Sequence, residues 1–153
     1  MMLKSVELLS VLLTALTGGM FWGPWLGLTI SMRTFEPAVF LVLTDRLARN
    51  IGAVMTWLLP LALAGMLPVL VLSYAHRPAT FYLTLAAFGF YLLALVVTMA
   101  IEVPLVKQMV RWTQATLPPD WQRVRDRWGA FHVVRVGSAL LGLGLLVAGA
   151  LAT

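Results

Sequence analysis

The chain has 153 residues, of which 61% are hydrophobic and only 11% charged. A soluble domain is nearer a quarter charged and about half apolar, so a soluble globule and a disordered chain are both excluded and an integral membrane protein is indicated. The absence of cysteine removes any disulfide framework and any thiolate metal or redox site, and a net charge of +5 in so apolar a chain points to basic loops at an anionic lipid surface rather than to nucleic acid.

The first apolar segment covers roughly residues 6–30, "VELLSVLLTALTGGMFWGPWLGLTI". Lys4 before an apolar run has the character of a signal-peptide start. However, "TALTGGMFWGPW" offers no small-x-small cleavage site followed by a polar stretch, and the apolar run continues to Ile30, so an uncleaved helix is expected. Gly19, Gly23 and Gly27 recur every four residues, with Gly18 beside them, a stripe that lets a second helix approach closely. Pro24 is expected to kink the helix, with Trp22 and Trp25 walling a cavity at the kink.

The link "SMRTFEPAVFLVLTDRLARN" follows. Arg33 and Glu36 are placed to pair with each other. Pro37 suits the first turn of a short helix, and Phe40, Leu43 and Leu47 would share a face lying in the membrane interface. Asn50 would cap the second span, residues 51–74. The very short link "AHRPAT" forces an antiparallel third span, residues 80–103. The last link, "KQMVRWTQATLPPDWQRVRDRW", breaks at Pro118 and Pro119. Asp120 suits a helix start, and Trp121, Val124, Trp128 and His132 follow at spacings of three or four, so this helix is expected to run into the fourth span, residues 130–152.

Each segment has about the 20 residues that a membrane helix needs, and alternation with period two is absent. The expected architecture is all-α: one domain forming a four-helix integral membrane bundle with up-down topology and short interfacial helices in the two long links. The long links then share one side of the membrane. Arg33, Arg46, Arg49, Lys107, Arg111, Arg123, Arg125 and Arg127 lie there, against Lys4 and Arg77 opposite. The positive-inside rule puts the long links in the cytoplasm and both termini outside, in a multi-pass protein of a bacterial-type cytoplasmic membrane.

Three ionisable groups interrupt the apolar segments at one depth. Glu102 closes the third span, and His132 and Arg135 open the fourth, three residues apart on one helix face. A lone charge at a bilayer centre costs about 2.5–3.5 kcal/mol on insertion scales, so a Glu102–Arg135 pair is expected, with His132 beside it. Thr98 lies one turn before Glu102 and Trp128 one turn before His132. Such a pair can simply lock two helices together. It can equally form the polar end of a pocket in which His132 accepts a proton. A metal site needs three or four ligands and His76 lies at the opposite face, so neither a metal centre nor a bis-histidine haem is expected. The eight methionines are scattered, which reads as core filling rather than copper binding.

The stretch "EVPLVKQMVRWTQATLPPDWQRVRDRWGAFHVVR" resembles the anthrone-oxygenase-like family of small four-helix membrane proteins. The residues that carry the resemblance are Pro104, Asp120, Trp121, Arg127, Trp128, His132 and Arg135, and the early "FWGPW" and "FEPAVF" are similar in character. Where the family commonly has asparagines around the proline, this chain has Glu102 and Val106. The resemblance implies a four-helix membrane fold and oxygenation of an anthrone without metal or flavin.

The reading that joins these features is a membrane-embedded protein that binds or oxidises an apolar aromatic small molecule. Glu102, His132 and Arg135 would be its catalytic polar cluster, Trp22, Trp25, Trp128 and Thr98 would line its substrate, and no cofactor would be needed. The alternative is a non-catalytic accessory or structural subunit, in a homo-oligomer or a larger membrane complex. A transporter is a weaker third, since four helices without a repeat would have to dimerise.

Overall fold

Helix α1 (Met2–Pro24) opens the structure, a computed structural model that describes residues 2–152. It is followed by α2 (Pro37–Ser73), α3 (Pro78–Val97), α4 (Val103–Met109) and α5 (Trp121–Leu151). A π-helical segment, Thr98–Glu102, joins α3 to α4 without leaving the helical path. A second one, Trp25–Thr29, extends α1. Four helical rods result, each long and apolar enough to cross a membrane. They form an up-down bundle in the spatial order α1, α2, α3, α5, closed by α1 against α5.

Both π segments have a cause in the sequence. Proline has no N–H and its ring crowds the carbonyl four residues back, so the α-helical ladder cannot run past it unchanged. Beside Pro104 the ladder widens, and the Val103 N–H reaches the carbonyl of Thr98. After Pro24 the Ile30 N–H likewise reaches the carbonyl of Trp25. The kink expected at Pro24 therefore takes the form of a π turn.

The first link differs from expectation. Pro37 does occupy the first turn, but no separate interfacial helix follows, because α2 runs unbroken through Asn50 to Ser73. Asn50 lies inside the helix and caps nothing. The reason is that "LVLTDRLARN" contains charges but no residue that stops a helix. Loss of hydrophobicity marks where the helix leaves the membrane, not where it ends. With 37 residues α2 is about 55 Å long, well beyond the roughly 30 Å hydrocarbon layer. In the last link, α5 begins right after Pro118, Pro119 and Asp120 and continues through the fourth span, as its spacing predicts.

Two further expectations are corrected. Arg33 pairs with Asp126 at 3.5 Å rather than with Glu36, because α5 extends below the first span and brings its carboxylate within reach. The glycine stripe of α1 also does not pack inside the bundle. A Cβ placed on Gly19, Gly23 or Gly27 meets nothing within 4 Å among the described residues. Close approach occurs elsewhere, at Gly142, where a Cβ would lie 2.7 Å from the Tyr91 ring.

Two apolar clusters hold the bundle. The larger joins Phe21, Leu59, Met66, Tyr91 and Leu146 across all four rods. The smaller, at the basic end, packs Phe40 of α2 on Trp121 of α5, ring centroids 4.9 Å apart, with Met32 and Met109. The inner face of α1 is unexpectedly polar: Glu7, Ser10, Thr14 and Thr17 are all buried. Thr14 and Thr17 hydrogen-bond carbonyls of their own helix, which satisfies a hydroxyl inside a membrane helix at little cost. Tyr91 of α3 donates to the carbonyl of Thr14 at 2.8 Å, linking diagonal rods.

Candidate functional site

The π segment at the end of α3 turns Glu102 into the bundle, where it is 2% exposed. Its Oε2 is ion-paired with Arg135 Nη1 of α5. One turn back on α5, His132 is equally buried, and its Nδ1 lies 2.6 Å from Arg135 Nη2 and 3.6 Å from Glu102 Oε1. Thr98 Oγ1 accepts a longer contact from Arg135 Nη1 at 3.4 Å and donates to the carbonyl of Ala94. Trp128 stacks on the imidazole with centroids 4.9 Å apart and planes only 10° from parallel. The Phe21 ring closes the other side, 4.3 Å from the guanidinium carbon of Arg135. The pair expected at one depth is therefore present, with Thr98 and Trp128 around it.

Elementary hydrogen-bond chemistry assigns the imidazole. A guanidinium only donates, so the short Arg135 contact makes Nδ1 the acceptor and leaves the hydrogen of a neutral ring on Nε2. That Nε2 finds no hydrogen-bond partner among the described residues, and neither do Trp128 Nε1 and Arg135 Nε. Unpaired buried donors are costly and uncommon, and three of them around one ion pair mark a place suited to a polar ligand atom.

Trp22 and Trp25 are placed differently from the other candidates. They contact each other at 5.1 Å, but Trp22 is 40% exposed on the outside of the bundle. Trp25 lines a cavity of about 340 Å³ with Arg33, Arg125 and Asp126. A second cavity, about 460 Å³, lies between α2 and the last link, beside Asp45, Arg46 and Trp112. Glu102, His132 and Arg135 line neither cavity, so the polar cluster is closed on both of those sides. Among the described residues no group of three or more His, Asp or Glu side chains is gathered to hold a metal ion.

One buried acid escaped the sequence reading. Glu7, 2% exposed, lies 3.2 Å from Lys4 Nζ through Oε2, while Lys4 also donates to the carbonyl of Ala150. The signal was present as Glu7, Ser10, Thr14 and Thr17, which recur at spacings of three and four on one face of the first apolar run.

The fold and this cluster define a class: a multi-pass four-helix membrane protein with an acid, an imidazole and a guanidinium buried together between its third and fourth rods. The family model of anthrone oxygenase matches residues 40–145, which include all three groups, and the chain belongs to that family. No curated protein and no solved structure matches the chain.

Proposed function

We propose that the Glu102–His132–Arg135 cluster binds and oxidises an apolar aromatic substrate of anthrone-like or phenol-like character within the bundle. The observation that carries this reading is His132 Nε2, which is buried against Trp128 without a partner among the described residues while Nδ1 is held from behind. Family membership supplies the reaction class. A methylene between aromatic rings loses a proton, the carbanion adds dioxygen, and the hydroperoxide loses water to leave a carbonyl. The balance is one methylene and one dioxygen to one carbonyl and one water.

His132 has two forms with two roles. With Nδ1 accepting from Arg135, Nε2–H donates to a substrate oxygen. When Nδ1 carries the hydrogen and turns it to Glu102 Oε1, Nε2 becomes the base, and Arg135 moves wholly onto Glu102 and Thr98, its other two partners. The Arg135 Nε–H, buried and without a partner among the described residues, then stabilises the substrate anion. Trp128 and Phe21 wall the ring system, and Trp22 and Trp25 stand farther out, beside the cavity at the foot of the first rod. Dioxygen is the only oxidant this balance requires.

His132→Gln tests the division. Glutamine keeps an N–H donor near the Nε2 position but no base. Ligand binding should persist while turnover falls by about 10²-fold or more, the usual contribution of a general base. Unchanged turnover overturns the reading.

The outward glycine stripe with exposed Trp22 favours a second reading, a packing face for another membrane chain in an accessory role. Purification in mild detergent decides: a discrete species holding only this chain counts against it. We also propose that the basic links face the cytoplasm of a bacterial-type cell, on the asymmetry of Lys and Arg between the two ends.

A further inference from the structure

The cavity at the junction of the first and fourth rods is lined by three charged side chains beneath an apolar rim. Asp126 is shared by two guanidiniums, with Arg125 Nε 2.9 Å from Oδ1 and Arg33 Nη2 3.5 Å from Oδ2. Two cations on one carboxylate leave one positive charge over. Arg125 is itself buried, its guanidinium 5.1 Å from the Trp121 ring, so its charge is fixed in place. Arg33 is held only at its tip and its side chain is 74% exposed, free to turn to another anion.

The surroundings say what that anion is attached to. Ile30 and Val133 line the cavity and are 57% and 49% exposed, which in a membrane-spanning chain means that they face acyl chains. Arg33 lies at the end of the first rod, Met2–Thr34, and Arg125 in the first turns of the fourth, Trp121–Leu151, near the depth at which headgroups lie. Arginine meets phosphate oxygens two at a time, and anionic lipids draw basic groups at this level. The place is separate from the buried cluster. At 3.6 residues per turn, Asp126, Gly129 and Val133 lie about a third of a turn around α5 from Trp128, His132 and Arg135.

We propose that this cavity is a binding site for the phosphate headgroup of an anionic phospholipid, held by Arg33 and Arg125 with its chains along Ile30 and Val133. The site pins the foot of the first rod to that of the fourth and takes one lipid.

Native mass spectrometry on the detergent-purified chain tests this, titrated with phosphatidylglycerol, with phosphatidylcholine of the same chains, and with inorganic phosphate. One phosphatidylglycerol should be retained at about a tenfold lower concentration than phosphatidylcholine. Arg33→Ala, an exposed position that the fold does not need, should weaken retention about tenfold, the usual worth of a charge-assisted hydrogen bond. Asp126→Asn should strengthen it by removing the competing carboxylate. Equal retention of the two lipids, or no response to either variant, overturns the proposal. Displacement of the lipid by millimolar inorganic phosphate alone also overturns it, since the site would then serve a free anion.

Discussion

At the level of single residues, Glu102, Arg135 and His132 were legible because ionisable groups inside apolar segments are rare and must find each other. Which atoms meet was not legible, because it depends on the π turn that rotates Glu102 inward. The neighbours of Trp25 were not legible for the same reason: the π turn after Pro24 breaks the spacing of 3.6, and the ring comes to line a cavity with Arg33, Arg125 and Asp126. A helix lock and a reaction site make opposite demands on this cluster. Glu102→Leu alone should lower stability by about 3–5 kcal/mol, since it strands a buried guanidinium, whereas Glu102→Leu with Arg135→Met should recover most of that loss. Thermal unfolding in detergent reads the fold, and turnover or ligand binding reads the site. If the double variant is both stable and fully functional, the cluster is only a lock.

Among the elements, the contact between α3 and α5 sets how deeply the site is closed. One edge of the Tyr91 ring lies against Gly142, while its hydroxyl reaches across to α1. A Cβ at residue 142 would also lie 3.2 Å from the carbonyl of Ala87, so neither the ring nor the backbone can yield cheaply. Gly142→Ala should therefore cost about 1–3 kcal/mol, typical of an overpacked core, and loosen the rods on which Glu102 and His132 stand. Gly19→Ala, on the open stripe of α1, should leave the melting temperature of the isolated chain unchanged. The sequence singled out the second glycine and passed over the first. Regular spacing advertises a stripe, but only the rotation of each rod decides whether the stripe faces inward. The four rods were legible from apolar length, and their ends were not, since α2 continues through charged residues into water.

Taken whole, the molecule is electrically lopsided, and the asymmetry follows from the up-down path. The two long links bring most of the arginines to one end, where the smaller apolar cluster, both cavities and the Arg33–Asp126 pair also lie. The other end carries Lys4, Glu7 and the turn at His76. A chain without cysteine allows a direct test, since one thiol can be introduced at a time. His76→Cys in the exposed turn and Gln114→Cys in the exposed last link occupy opposite ends of the bundle. A membrane-impermeant thiol reagent applied to intact bacterial cells should label the first and spare the second until the membrane is opened. The reverse pattern would put the basic end outside and separate this protein from the positive-inside rule. The lipid site and the polar cluster would then have to be reached from the outer leaflet, where anionic headgroups exert a different pull on Arg33.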